Sequence, residues 1–148
     1  MPRLIALAVL ALALSACAST PRTLPLPSEN TDGVPAERQL VGRWTMEAVY
    51  ESGNDVSGVH NPSRNRWIEL RADHSFASGG DPYGPNTGVW TYDADSATLE
   101  IVSDLGPDDD SVWTVSLRGP EMTWRGVGSA RAERFVIVAR RAGPPRSP

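Results

Sequence analysis

Short runs in which apolar and polar residues alternate follow one another from Gln39 to Arg141, and Gly, Pro, Asn and Asp separate them. Alternation with a period of two is typical of half-buried strands, and such separators are typical of turns. The pattern predicts about eight strands, at Gly42 to Tyr50, Arg66 to Arg71, His74 to Ser78, Gly88 to Tyr92, Thr98 to Ser103, Val112 to Leu117, Glu121 to Arg125 and Arg134 to Arg140. No stretch has sustained helical periodicity of useful length, so the chain is predicted to be all-β.

The first predicted strand assigns alternate residues to opposite faces, because successive side chains of a strand point to opposite sides. Its mostly aromatic and apolar set falls on one face, at Trp44, Met46, Ala48 and Tyr50. Thr45 and Glu47 fall on the other face.

Three consecutive hairpin-like pairs follow the first strand, and the last strand is the most apolar of all. This order predicts that each strand pairs with its neighbour in sequence. Pairing of the first strand with the last would remove the exposed edges of an open sheet. We therefore expect a small antiparallel up-and-down β-barrel. An open β-sandwich built from the same strands is the alternative.

The chain begins with a different pattern, a positive charge at Arg3 followed by the wholly apolar run from Leu4 to Leu14. A run of roughly ten residues is too short to span a bilayer as a helix but fits the central region of a signal peptide. The run ends in Leu14-Ser15-Ala16-Cys17, which resembles a bacterial lipoprotein lipobox. This resemblance implies that residues 1–16 are a signal peptide and that Cys17 is acylated.

Acylation of Cys17 would attach the mature protein to a membrane, since several acyl chains give stable anchoring. In many Gram-negative lipoproteins an aspartate after the cysteine marks retention at the inner membrane, and Ala18 stands there in this sequence. The resemblance therefore implies the bacterial cell envelope, with the outer membrane facing the periplasm favoured.

Residues 17–38 are rich in Pro, Ser and Thr, so we expect them to form a tether of partly polyproline character. Residues 39–141 form the predicted barrel domain. The tail at residues 142–148 is expected to be disordered.

Composition narrows the function classes only a little. The formal net charge is −4 and no basic stripe or cluster appears, which argues against a nucleic-acid partner. Cys17 is the sole cysteine, so no internal disulfide can hold the domain together. The apolar core must do so alone.

Gly42-Arg43-Trp44 resembles the G-x-W motif that opens the barrel in lipocalins and in smaller bacterial lipocalin-like domains. The succession of later elements is also similar to those domains, at Trp67 to Leu70, Asp73 to Phe76, Gly88 to Tyr92 and Leu99 to Ile101. The resemblance implies that Trp44 plugs the closed end of the barrel. It also implies that an arginine near the end of the last strand stacks on this ring; Arg140 is assigned here, with Arg141 as the alternative.

The chain departs from full-length lipocalins, because the domain is shorter and no long helix follows the final strand. The META domain, another small envelope-associated β fold, can begin with a similar Leu-x-Gly-x-Trp and is a competing match. The Gly-Cys-Asn element expected of that domain is missing.

The sequence gives no signature of a metal, cofactor or catalytic site. Its two histidines, His60 and His74, lack the spacing of metal ligands, and the acidic segment from Asp104 to Asp110 lacks that of a calcium loop. No serine lies in a Gly-x-Ser-x-Gly motif. We therefore expect a protein that is not an enzyme, with no metal and no cofactor.

The tryptophans are the most informative candidate site residues. They either fill a small barrel or line an apolar pocket, and the pocket hypothesis assigns Trp67, Trp90, Trp113 and Trp124 as walls with Tyr92 as a polar contact. Tyr50 and Tyr83 are further candidates for polar contacts at the mouth. The expected function is the binding of a small hydrophobic ligand without catalysis.

The alternative function is a solid barrel that acts as a scaffold. In that case the segments from Glu51 to Asn65 and from Gly79 to Thr87 would contact an envelope protein. A spacious apolar interior favours ligand binding, whereas a filled interior favours the scaffold.

Overall fold

A computed structural model describes residues 35–143 and shows an antiparallel β-barrel closed by eight strands, with a ninth short strand beside them. The strands are β1 (Gly42–Glu51), β2 (Asn54–Asp55), β3 (Trp67–Leu70), β4 (Ser75–Gly79), β5 (Asn86–Asp93), β6 (Thr98–Ser103), β7 (Ser111–Arg118), β8 (Glu121–Gly126) and β9 (Phe135–Arg141). All eight predicted strands are present, with boundaries shifted by at most two residues.

Each barrel strand pairs with its neighbour in sequence, and β1 also pairs with β9 along most of its length. Pairs such as Trp44 with Arg141 and Tyr50 with Val136 close the barrel, so none of the eight strands has a free edge. The predicted up-and-down barrel is confirmed. The open sandwich is excluded by the β1–β9 ladder.

A β-bulge at Glu47 overturns the predicted alternation in β1. Met46 pairs with Ala139 and Ala48 pairs with Val138, which leaves Glu47 as an extra residue. An extra residue reverses the faces beyond it. Ala48 and Tyr50 therefore do not share the face of Trp44 and Met46 as predicted, and Val49, which is buried, takes that face instead.

Several short elements lie outside the predicted strands. They are α1 (Glu37–Leu40), α2 (Ser57–His60) and two 3-10 turns, at Pro107–Asp109 and Ala132–Arg134. The first helix packs under the barrel, since Pro35 and Leu40 are both fully buried. The packed domain thus includes residues that the prediction assigned to the tether.

The core is formed by side chains that point inward from every barrel strand, together with Leu40 of α1. Its largest fully buried members are Trp44, Trp90, Phe76, Leu40, Leu70, Leu99 and Met122. Among residues 35–143, no helix is long and apolar enough to cross a membrane.

The predictions for the chain termini fall outside the described residues. The signal peptide, Cys17 and most of the tether precede residue 35, and residues 144–148 follow the described part.

Candidate functional site

The two ends of the barrel differ in what covers them. At one end lie α1 and the tight turns at residues 71–74, 94–97 and 119–120. At the opposite end lie the longer connections at residues 52–66, 80–85, 104–110 and 127–134. We call these the closed end and the open end.

Trp44 is fixed at the closed end by two interactions. Its indole Nε1 donates a hydrogen bond to the Leu40 carbonyl at 2.8 Å, which ties β1 to α1. The guanidinium of Arg141 lies over the same ring, 4.3 Å from its centroid. Arg141 also donates to the carbonyls of Val41 and Gln39. Arg141 therefore closes this end of the barrel.

The structure corrects the assignment of Arg140 to this position. The Arg140 Nε lies 2.6 Å from the Glu47 carboxylate, and its Nη2 lies 3.8 Å from Glu121. Hydrogen bonding to Glu47 raises the pKa of Arg140. Successive residues of β9 point to opposite faces, so only Arg141, which is the register partner of Trp44, can stack on it.

Gly42 makes room for this arrangement. Its φ of +138° is a conformation that side chains rarely adopt, and a Cβ atom there would lie 2.5 Å from Arg141 Nη1. The glycine of the G-x-W motif is thus explained by the arginine that covers the tryptophan.

Trp90 also belongs to the closed end, and it is not among the residues that line the cavity nearer the open end. Its Nε1 donates to the Arg71 carbonyl at 3.1 Å, and its ring stacks on His74 at a centroid distance of 4.9 Å. His74 in turn contacts Glu37 of α1 at 3.0 Å. The proposed role of Trp90 as a pocket wall is therefore replaced by a structural one.

A cavity of about 230 Å³ occupies the half of the barrel nearer the open end. Apolar side chains from seven strands line it, among them Phe76, Ile101, Trp113, Trp124, Ile137 and Ala139. Residues of the connections at the open end surround its mouth, including Arg66, Tyr83, Leu105 and Asp109. The interior is thus partly filled, with an apolar chamber left above the closed end.

Three of the four predicted pocket tryptophans line the chamber, namely Trp67, Trp113 and Trp124. Trp113 and Trp124 meet edge to face with their ring centroids 6.0 Å apart. Trp113 Nε1 donates to Ser111 Oγ at 2.9 Å, whereas Trp124 Nε1 is buried and has no hydrogen-bond partner among residues 35–143. These rings form an aromatic wall on β7 and β8.

Trp67 borders the cavity, but other groups cover its ring. The guanidinium of Arg43 lies 3.8 Å from the ring centroid, and an added Cβ at Gly79 would meet the ring at 3.2 Å. Arg43 is exposed on the outer side of β1. Trp67 therefore packs mainly against its neighbours on the sheet.

Tyr92 lies inside the barrel but is not part of the cavity lining. Its hydroxyl is buried and has no hydrogen-bond partner among residues 35–143. Burial, together with the neighbouring Asp93 carboxylate, raises the pKa of the Tyr92 hydroxyl. The predicted role of Tyr92 as a ligand contact is not supported by its position.

The mouth of the cavity is organised around Arg66, which the sequence patterns did not single out as a site residue. The Arg66 Nη1 donates to the His60 carbonyl at 2.9 Å, and its guanidinium lies 4.3 Å from the Tyr83 ring centroid. His60 Nδ1 and Tyr83 Oη lie 2.5 Å apart. Arg66 thus joins two connections that are distant in sequence, and no local signal marks such a contact.

Other hydrogen bonds fix these connections to β1 and to each other. Asn61 Nδ2 donates to the Met46 carbonyl, and the backbone N–H of Arg66 donates to Asn61 Oδ1. Ser63 Oγ donates to Asp81 at 2.7 Å, and the Asp81 backbone N–H donates to Asn65 Oδ1 at 2.8 Å. The mouth is therefore a preformed rim.

The described part of the chain brings together no group of three or more His, Cys, Asp and Glu side chains that could hold a metal ion. Two aspartates of the acidic segment accept local hydrogen bonds. Asp110 accepts a hydrogen bond from the Ser103 backbone N–H, and Asp104 accepts one from Thr87 Oγ1.

Comparison with solved structures finds a DUF4847 family protein from Bacteroides vulgatus with a similar fold. The TM-score is 0.51 at 14% sequence identity, and the match covers 68% of this chain and 92% of that one. This likeness supports a shared small barrel architecture. No family model and no curated protein matches the sequence.

Proposed function

We propose that the protein binds a small, mainly apolar molecule inside its barrel and does not transform it. The observation that carries this proposal is the chamber of about 230 Å³, whose walls are mainly apolar and whose mouth lies at one end. A barrel of eight strands is just wide enough either to be filled by its side chains or to hold one small ligand. Here the closed half is filled and the open half is not.

The size of the chamber limits the ligand. Pockets for drug-sized molecules occupy roughly 300–1,000 Å³, so a smaller molecule fits this one. Burial of apolar surface contributes about 25 cal/mol per Å², or about 0.8 kcal/mol for each methylene group. Short hydrocarbon chains therefore reach useful affinity only if the rim holds them in place, as its interlocked connections allow.

A titration of tryptophan fluorescence tests the proposal. We would use the full chain carrying Cys17→Ser, which leaves no thiol to acylate, and add short-chain alcohols, fatty acids and apolar dyes. We expect a saturable change in intensity or emission maximum. A folded protein that shows no saturable change with any member of the panel would overturn the proposal.

A pair of alanine variants locates the binding. Ala139 lines the cavity, so Ala139→Leu reduces its volume and should weaken binding. Ala48→Leu adds the same volume on the neighbouring strand, beyond the bulge and outside the cavity lining, and should leave binding unchanged.

We further propose that Cys17 is acylated and that the barrel is thereby attached to a membrane of the bacterial cell envelope. The support is the lipobox-like sequence Leu14-Ser15-Ala16-Cys17 after an apolar run. A lipid-anchored binding protein of this kind would hold an apolar ligand close to the membrane from which such a ligand is extracted.

The scaffold function is the second candidate, and exposed apolar side chains at the open end favour it. Val59 is 68% exposed, Leu105 is 62% exposed and Tyr83 is 56% exposed. All three lie on the connections that surround the open end. Absence of ligand binding, together with capture of an envelope protein that is lost with Leu105→Ser, would favour this function.

A further inference from the structure

Arg66 is a half-buried cation at the mouth of the cavity, and its position is well defined. One of its nitrogens donates to the His60 carbonyl, and the face of the guanidinium packs on Tyr83. Its backbone is fixed by Asn61 Oδ1 on one side and by the Met46 N–H on the other. The guanidinium is therefore held beside the chamber.

The charge of Arg66 has no anionic partner among residues 35–143. Other arginines of the barrel are ion-paired, Arg71 with Glu69, Arg134 with Glu51 and Arg140 with Glu47. A guanidinium has five N–H donors, and the described residues supply an acceptor for a single one of its nitrogens.

This arrangement is costly without a ligand, because removing a charge from water is unfavourable unless an opposite charge or hydrogen bonds replace the water. Burial accordingly lowers the pKa of Arg66. An anion at the mouth would supply the missing charge and the missing acceptors. The apolar chamber directly beneath would receive whatever hydrocarbon the anion carries.

We infer that the ligand is a small amphiphile with an anionic head group, whose carboxylate is bound by Arg66 at the mouth while its hydrocarbon chain occupies the chamber. This inference rests on the proposed function and adds a specificity-determining residue to it. Carboxylates match the planar guanidinium because both can form two parallel hydrogen bonds.

Neighbouring groups at the mouth are compatible with such a head group. The hydroxyl of Ser78 and the amide of Asn86 also line the cavity and can hydrogen-bond a carboxylate. Asp109 lines the cavity as well, and its charge would instead favour a cationic head group. Three ligands that share one hydrocarbon chain but differ in head group distinguish an anionic preference from a cationic one.

The test compares octanoate, octanol and octylamine by calorimetry and tryptophan fluorescence, again with the full chain carrying Cys17→Ser. We expect octanoate to bind about tenfold more tightly than octanol, since a hydrogen bond to a charged group contributes more than one to a neutral group. Arg66→Gln should remove this preference, so that octanoate binds no more tightly than octanol. Arg66→Lys should retain part of it.

Arg64→Gln is the matched control, because Arg64 lies in the same connection, is exposed and does not line this cavity. It should keep the octanoate preference. Should Arg66→Gln fail to fold, NMR of the Arg66 side-chain Nε–H in the otherwise unchanged protein gives a second readout. This resonance should shift on addition of octanoate and not on addition of octanol.

The outcomes of this test distinguish a failure of the role of Arg66 from a failure of the proposed ligand-binding function. Equal affinity for octanoate and octanol, or a preference for octylamine, would overturn the role of Arg66 while leaving a ligand-binding barrel. Octanoate preference that persists in Arg66→Gln would also overturn it. If none of the three ligands binds to the folded protein, the proposed function itself fails.

Discussion

The guanidinium of Arg141 lies 4.3 Å from the centroid of the Trp44 ring, and this contact joins the last strand of the barrel to the first. Arg141 also donates to the carbonyls of Val41 and Gln39. Its side chain therefore links the end of β9 both to Trp44 in β1 and to the backbone that precedes β1. Residues near both termini of the domain therefore contact each other at the closed end.

Replacement of Arg141 by Met is expected to destabilise the fold. The change removes a cation–π contact and two hydrogen bonds, so the free energy of unfolding should fall by about 1–2 kcal/mol. Urea denaturation monitored by circular dichroism measures it. Arg140→Met is the control, and its effect should be smaller because Arg140 forms exposed ion pairs. Equal losses for the two variants would contradict this account of the closed end.

Gly88→Ala is expected to be among the most damaging single substitutions in the barrel. A Cβ at this position would lie 2.0 Å from the Val102 carbonyl oxygen and 2.7 Å from the Phe76 ring, so β5 and β6 would have to separate. We expect a loss of about 3 kcal/mol or more in the free energy of unfolding. Thermal and urea unfolding measure this loss.

Gly58→Ala serves as the control for Gly88→Ala, because a Cβ there meets nothing within 4 Å. It should be neutral or slightly stabilising, since Gly58 lies in α2. A Gly88→Ala protein as stable as the unchanged protein would show that the spacing of β5 and β6 differs from that described.

Tyr92 is expected to make stability depend on alkaline pH. Its pKa is raised in the folded state by burial and by Asp93, so the unfolded chain ionises first, near pH 10. The stabilisation is fully present below that pH and is lost as the pH rises through the raised pKa. Urea unfolding from pH 8 to pH 11 should show this decline.

Tyr92→Phe should reduce the alkaline decline in stability. At neutral pH it should also preserve stability or raise it by up to about 1 kcal/mol, since the buried hydroxyl has no partner among residues 35–143. Absorbance titration of tyrosinate in both proteins isolates the ionisation of Tyr92. A clear loss of stability at neutral pH would indicate that the hydroxyl is hydrogen-bonded in solution.

The fluorescence response to ligand is expected to come from the aromatic wall of the chamber. Trp124→Phe should remove much of the ligand-induced change, because Trp124 lines the cavity. Trp90→Phe should retain the change, since Trp90 lies at the closed end against His74. Titration of both variants with octanoate, after circular dichroism confirms folding, distinguishes the two tryptophans. The opposite pattern would place the ligand near α1.

Cys17→Ser is expected to abolish acylation of the protein. The sulfur of Cys17 is the sole thiol in the chain and would be the site of attachment. Incorporation of labelled palmitate in a bacterial host should therefore occur in the unchanged protein and disappear in the variant. Ser19→Ala, two residues away, should still incorporate the label. Label retained by Cys17→Ser would remove the basis for a lipid anchor.

The alternation of apolar and polar residues determined the fold class, the number of barrel strands and the order in which they pair. These features are local, because each strand and each tight turn follows from residues that are close in sequence. The G-x-W motif also placed Trp44 correctly at the end of the barrel. The bulge at Glu47 has no comparable sequence signal, so the faces of Ala48 and Tyr50 were predicted wrongly.

The choice between Arg140 and Arg141, and the division of the tryptophans between core and cavity, depended on the tertiary structure. Both are decided by the register of β9 against β1 and by which connections meet at the open end. Arg66 is held at the mouth by contacts with His60 and Tyr83, which belong to separate connections. Local sequence patterns thus specify the barrel, and closure of the barrel creates the site, because a cavity is shaped by side chains that only folding brings together.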